Sequence, residues 1–440
     1  MTKTIQWLMT SAIMLTMTTA TADNWPQFRG ANHDYLPTQS GLPTEWNDET
    51  NVEWIAPIPG EGWASPVVWG DHVFIATAVQ EKGPAVKPRP GARGDRVGKD
   101  AVYRWELHCL NLATGEERWK RVVLQGHPRN RTHPANTYAS ETPVTDGERV
   151  YVYFGMMGLF CYDFDGELVW KKDLGGLPME RDWGTGSSPI MHEGILYLQI
   201  DNEEESFLVA LDGETGDERW RKARNEGSSW STPMIWRNRE RTELVTNADT
   251  VRSYDPQSGE LLWSLRYPGG RASASPVGDA DVLYIGNEER EDGGGILAAV
   301  KAGASGDITP SEGEQSNGDI LWWRADAGPD FSSPLLYEGH VYILARNRGQ
   351  VSCYDAKTGA PAYEHERLTR ARSFWASPWA YDGKVFCPDD SGRTHVLKPG
   401  PKLEVIGTNS IDDKVWSSPA FVDQTMILRG ANAVYCIREH

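Results

Sequence analysis

Residues 332–363 read SSPLLYEGHVYILARNRGQVSCYDAKTGAPAY, and this stretch decides the fold. Ser332-Ser333-Pro334 opens a short apolar run, and Val341–Ala345 and Val351–Tyr354 follow as two strands. Asp355, Thr358 and Gly359 then carry the chemistry of a tight hairpin loop, and the ring of Tyr363 stands four positions past the glycine. The unit reads as four antiparallel strands, with A at the Ser-Pro motif, B and C in the middle and D at the ring.

The unit repeats along the chain. Its opening recurs as Ala64-Ser65-Pro66, Glu141-Thr142-Pro143, Ser187-Ser188-Pro189 and Ser231-Thr232-Pro233. It returns as Ala274-Ser275-Pro276, at Pro334, and as Ala376-Ser377-Pro378 and Ser417-Ser418-Pro419. The steps between these prolines are 77, 46, 44, 43, 58, 44 and 41, a period of about 44 with two insertions. The glycine-plus-four ring occurs as Gly115/Trp119, Gly166/Trp170, Gly216/Trp220, Gly259/Trp263, Gly318/Trp322 and Gly359/Tyr363. Four strands in such a period is the content of one propeller blade.

The two ends complement each other. From Trp416 to His440 there is room for three strands only, while Asn51-Val52-Glu53-Trp54 has strand D spacing. Trp54 precedes Pro66 by 12 residues, as Trp322 precedes Pro334 by 12. The expected fold is all-β, an eight-bladed propeller of four-stranded antiparallel blades whose last blade is closed by the N-terminal strand. Closure of this kind removes two open sheet edges. The propeller should occupy residues 51–440, after a signal peptide at 1–22 and an N-terminal extension at 23–50.

The signal peptide rests on Lys3, an apolar stretch from Ile5 to Met17, and the small-x-small site Ala20-Thr21-Ala22. That stretch is too short to span a bilayer of roughly 30 Å. The expected location is periplasmic or secreted, with no integral membrane segment after cleavage. Lys and Arg number 44 against 62 Asp and Glu, a net charge of -18 with no basic block, which excludes a nucleic-acid or anionic-membrane binder. Cys109, Cys161, Cys353 and Cys436 share one repeat slot with Ala210 and Ser253, so they should be buried thiols rather than disulfides.

The pattern Ala/Cys-Leu/Tyr-Asp-x-x-Thr/Ser-Gly-x-x-x-Trp resembles the repeat of the PQQ-like β-propeller superfamily, from about Asn51 to His440. Neither the Gly-Gly doublets of kelch repeats nor the Trp-Asp ending of WD40 repeats recurs with the required period. The superfamily includes quinoprotein dehydrogenases and the propeller subunit of the outer-membrane protein assembly machinery. The opening Trp25-Pro26-Gln27-Phe28-Arg29-Gly30 is also similar to that of exported members.

In such a blade the D–A and B–C loops emerge on one face. Three positions before the strand A proline stand Trp63, Trp230, Phe331, Trp375 and Trp416, and Trp183 and Tyr138 approach from longer loops. Arg271 takes the D–A loop of blade 5. The B–C loops add Asp201-Asn202-Glu203, Asp249, Glu288-Glu289, Arg346 and Asp389-Asp390. A funnel of rings and charges is a candidate ligand face, with Trp63, Tyr138, Trp183, Trp230, Arg271, Phe331, Trp375, Trp416, Arg346, Asp201 and Asp389 as its residues. Rings that merely cap the inner strands are the plainer alternative. Two long segments crowd the same side, a B–C insertion at Val79–Val102 and a D–A connection at Val122–Thr137 holding His127, Arg129, Arg131, His133 and Asn136. Two histidines do not make a metal set, so the metal stays open. Arg93-Gly94-Asp95 carries no assigned role.

No serine-nucleophile elbow, zinc helix or haem motif occurs, and no catalytic residue is assigned. Two function classes remain. One is a non-catalytic binding protein whose aromatic-rimmed face takes a macromolecule such as a protein, a glycan or a quinone-like small molecule. The other, implied by the resemblance, is a dehydrogenase oxidising an alcohol or sugar with PQQ held over the channel by calcium and a stacking Trp. Oxygen ligands converging on one cation are not visible in the sequence, and the adjacent cysteine pair of many alcohol-oxidising members is absent, so the binding class is preferred. For export, N-terminal sequencing of the exported protein should begin at Asp23; a start at Met1 would refute the cleavage site.

Overall fold

The computed structural model describes residues 24–83, 100–176, 178–266, 271–288, 295–346 and 348–439. The cleavage site at Ala20–Ala22, Arg93-Gly94-Asp95, Glu289 and the interior of the first insertion lie outside them. The described residues form eight sheets, seven of them built on four antiparallel strands from one stretch of chain, at 67–126, 144–172, 190–224, 234–266, 277–325, 335–367 and 379–410, and the eighth at 420–438. The eighth has three strands of its own and takes Val52–Pro57 as its fourth, with Trp54 opposite Cys436. The N-terminal strand closes the propeller. No described helix is long and apolar enough to cross a membrane.

Five blades carry one transverse line of side chains that explains the repeat. The small residue of strand C lies opposite the ring of strand D: Cys109 with Trp119, Cys161 with Trp170, Ala210 with Trp220, Ala299 with Trp322 and Cys353 with Tyr363. A strand B ring closes over the same small residue from the other side. Phe74 and Trp119 stand 6.0 Å apart, Tyr151 and Trp170 5.8 Å, Tyr197 and Trp220 5.9 Å, and Tyr284 and Trp322 5.8 Å. Two large rings converging on one position leave room for a small residue, here Ala or Cys. All five cysteines are free and buried.

The strand D ring also locks blade to blade. Trp54, Trp119, Trp170, Trp220 and Trp322 each cover the hairpin glycine of the next blade: Gly115, Gly166, Gly216, Gly259 and Gly359. These glycines have φ between 66° and 79°, and a Cβ there would strike the ring at 2.6–2.9 Å. The indole N–H of Trp54 donates to Leu112 O at 2.9 Å, and that of Trp322 to Ala356 O at 3.0 Å, so the ring is fixed at its edge as well.

The structure departs from expectation at four places. Gly318 has nothing within 4 Å of a built Cβ, so it does not serve as a docking glycine. The blade 5 insertion instead runs Gly306–Asp307 parallel to Leu261–Arg266, and Trp263 turns its N–H to the buried Glu243 carboxylate at 2.6 Å. Blade 7 has Gly407 at the ring position, and Trp46 of the N-terminal extension stacks on Phe386 at 5.9 Å in its stead. In blade 1 the strands run on to Lys82 and Gly126, so both long segments are shorter as loops than the sequence suggested.

Deleting residues through Ile55 should open blade 8, with loss of cooperative unfolding or aggregation in thermal melts. Trp54→Ala alone should cost about 3 kcal/mol. A truncated chain that melts with the intact one would refute closure by this strand.

Candidate functional site

The residue before each strand A proline is Ser or Thr, and the structure shows why. The Ser65 N–H donates to the Thr142 hydroxyl at 3.0 Å, and the Thr142 N–H to the Ser188 hydroxyl at 2.9 Å. The chain of bonds continues through Thr232, Ser275, Ser333, Ser377 and Ser418 at 2.9–3.0 Å. Seven backbone-to-hydroxyl bonds thus run round the channel as a belt. Between Ser418 and Ser65 the Tyr35 hydroxyl faces both side chains.

One end of the channel is filled by the N-terminal extension. Trp25 exchanges backbone bonds with Val68 at 2.9 Å, Pro26 O accepts from Thr145 N, and the Gln27 side chain accepts from Met191 N. Trp25 packs on Phe421 at 5.1 Å, and Tyr35 O accepts from Ala380 N. Arg29, 1% exposed, donates to Ser275 O at 3.3 Å, Pro276 O at 2.6 Å and Pro334 O at 3.0 Å. The motif Trp25–Gly30 is a plug that touches the inner strands around the ring.

On the other side of the belt, on the D–A and B–C face, is a cavity of about 950 Å³ floored by Phe28 and all eight belt residues. Its wall is two arcs of rings. In the first, Phe331, Trp375, Trp416 and Trp63 follow one another with centroids 5.0, 4.2 and 4.5 Å apart, and the Arg346 guanidinium lies 4.5 Å from the Phe331 centroid. In the second, Trp183 stands 5.8 Å from Trp230 and carries the Arg271 guanidinium at 4.4 Å. A polar chain joins the arcs. Arg271 donates to both Glu180 oxygens at 2.7 and 2.9 Å and to Glu288 at 3.2 Å. Glu288 neighbours Asp330, which accepts the Arg346 backbone N–H at 3.1 Å. Burial, with Asp330 close by, pushes the Glu288 carboxyl up to about 7.

Of the residues expected on this face, Trp63, Trp183, Trp230, Arg271, Phe331, Arg346, Trp375 and Trp416 line the cavity. Three stand away from it. Tyr138 is buried against Tyr103 at 4.8 Å, in the core between blades 1 and 2. Asp201 pairs with the buried Arg224 at 2.8 Å, and Asp389 bonds Ser391 and His395. His133 lines the cavity, whereas His127 is exposed elsewhere on its loop. Sequence reasoning missed the belt hydroxyls, Phe28, Arg181 and Glu141. For the belt the signal was present, because every proline of the motif follows Ser or Thr. Glu141 fills a position that is Ala or Ser in the other seven units. It is buried with Oε1 unpartnered, and burial pushes its carboxyl up to about 7.

A calcium-held quinone would need several oxygens converging on one hard cation. On this face Glu180 and Glu288 engage Arg271, Asp330 engages Arg346, Asp201 engages Arg224, and Glu141 is held by the Thr185 side chain. No three His, Cys, Asp or Glu side chains converge among the described residues. The described donors do not fit a calcium ion.

No curated relative matches the chain in sequence. Among solved structures, quinohemoprotein alcohol dehydrogenase from Comamonas testosteroni superposes with a TM-score of 0.60 at 11% identity, covering 94% of this chain and 80% of that one. Quinohemoprotein alcohol dehydrogenase ADHIIG from Pseudomonas putida HK5 gives 0.60 at 12% identity with the same coverage. BamB from Moraxella catarrhalis gives 0.40 at 15% identity, covering 67% of this chain and 95% of that one. At such identities the likeness is one of fold. The family model described as outer membrane protein assembly factor BamB matches residues 104–232, 164–309 and 247–401, most of the blades. The chain belongs to that family, the PQQ-like β-propellers.

Proposed function

We propose that this is an exported, non-catalytic binding protein whose ligand enters the cavity on the D–A and B–C face. The observation that carries the reading is a cavity of about 950 Å³, walled by two arcs of rings and closed at one end by the chain's own N-terminal segment. Binding sites are concave and largely aromatic with a few placed polar groups, and this one is. The plug favours a small molecule, a sugar or the tip of a macromolecule over a ligand threaded through the axis. A family model named for an assembly factor agrees with binding rather than turnover. The direct test is mass and absorbance analysis of ligand retained by protein purified from its exporting host, with and without added PQQ and calcium. A retained ligand lost on Trp375→Ala supports the reading; PQQ retained only with calcium would move the protein to the dehydrogenases.

An alanine series should separate the two sets of rings. Trp170→Ala and Trp220→Ala remove blade-docking rings and should each cost roughly 3–5 kcal/mol in thermal or denaturant melts. Trp230→Ala and Trp375→Ala should cost less stability and weaken ligand retention. Equal stability losses in both sets with unchanged retention would make the rim rings core packing.

Glu141 gives a pH signature. Its carboxyl is raised from 4.5 to about 7 by burial, so the stability it contributes is whole below about 4.5 and is lost as pH rises through about 7. Glu141→Gln should therefore melt a few degrees above the parent at pH 8 and level with it near pH 4.5. A difference independent of pH would place the titration elsewhere.

A further inference from the structure

The cations around the cavity fall into two groups. Those of the wall are already answered by carboxylates: Arg271 holds Glu180 and Glu288, and Arg346 faces Asp330 at 3.7 Å. The one beneath the floor makes no such ion pair. Arg29 lies against the belt at Ser275 and Pro276, and among the described residues its guanidinium meets no carboxylate within 4 Å. Three of its N–H bonds go to carbonyls, and its Nε, buried, has no partner. Burial holds this arginine down to about 10, so it stays charged at neutral pH. Asp34 and the Tyr35 ring, whose centroid lies 5.4 Å from the guanidinium, favour that charge from beyond ion-pair contact, and a buried charge answered only in part remains costly in a folded chain.

The belt points the same way. A hydroxyl has one proton to give and two lone pairs to accept with. Seven belt oxygens already accept a backbone N–H, and apart from Ser418, which faces the Tyr35 hydroxyl, the proton of each can turn toward whatever rests on the floor. A ring of O–H donors above a cation that no carboxylate touches is a receptor for negative charge. The formal charge of the chain, -18, makes the concentration of donors at this spot more telling.

We propose that the cavity floor, formed by the hydroxyl belt over Arg29, receives the anionic head of the ligand, a carboxylate or a phosphate, while the rings of the wall hold its apolar body. The proposal rests on the binding reading above and adds the charge and orientation of the ligand. Arg29 acts through the field it sets at the floor and is a positioning residue. Phe28 fixes how deep the head descends.

The test compares three probes of one shape: naphthoate, naphthyl phosphate and neutral naphthamide. Their dissociation constants are read by tryptophan fluorescence on the full chain, on Trp375→Ala and on Arg29→Met. At least one anion should bind about tenfold tighter than naphthamide, and which of the two does so distinguishes carboxylate from phosphate recognition. Arg29→Met should bring the anion to the level of naphthamide and leave naphthamide unchanged, which also shows the variant to be folded. Should Arg29→Met fail to fold, inorganic phosphate decides on the intact chain: it should displace the favoured anion and spare naphthamide. If naphthamide binds as tightly as both anions and is lost in Trp375→Ala, the cavity stands as a binding site and the anionic head is refuted. If Trp375→Ala changes none of the three, both readings fall.

Discussion

The whole ring depends on one bond repeated between neighbours, from the backbone N–H before a strand A proline to the Ser or Thr hydroxyl of the next blade. Proline makes it repeatable. Its ring fixes its own φ and restricts the preceding residue to extended backbone, so the N–H and side chain of that residue take the same directions in each blade. The bonds lie at 2.9–3.0 Å although the connections between successive units differ by tens of residues. A belt held to that tolerance sets where each D–A loop arrives. Rings three residues upstream, from four blades, can then meet in file from Phe331 to Trp63.

The outer contact supplies the second constraint. A strand D ring seated on the next blade's glycine keeps adjacent sheets at fixed spacing at the periphery, while the belt fixes it at the axis. Both ends of the wedge are defined by short contacts with little freedom, so the blades tolerate long insertions between strands. The insertion of blade 5 shows the limit of that tolerance: it displaces the usual contact, pairs its own backbone along the edge of blade 4, and leaves Trp263 bonded within its blade.

The spacing arithmetic made the architecture legible because the repeat depends on residues with few substitutes: proline, a hairpin glycine and a large ring. Trp54 could be placed in blade 8 from its distance to Pro66, and its pairing with Cys436 follows the same rule as Cys109 with Trp119. The shared slot of cysteine, alanine and serine was visible too, but its cause in five of the blades, two rings closing over strand C, required the strand pairing. Trp46 was not legible, since it supplies blade 7 from outside the repeat. The rim rings were legible from their offset to proline. Tyr138, Asp201 and Asp389 were not separable from them, because proximity to a loop does not reveal whether a neighbouring Tyr103, Arg224 or His395 engages the side chain. The plug was opaque for a different reason: its partners lie on inner strands scattered over the whole chain.

That segment ties fold and site together. The N-terminal extension and the strand that follows it meet three separate needs of the ring: Trp25 to Tyr35 fill the axis, Trp46 completes blade 7, and Val52–Pro57 completes blade 8. At the axis, the inner strands bring backbone carbonyls together with few donors to meet them. A guanidinium satisfies several carbonyls from a single side chain, which is a structural reason for Arg29. That reason covers its terminal nitrogens and leaves Nε without a partner and the charge answered only in part, by Asp34 and the Tyr35 ring. An interior that needed only donors could use neutral groups at a far lower desolvation cost. The choice of a cation for the plug therefore reaches beyond the channel it fills, to the cavity whose floor it supports.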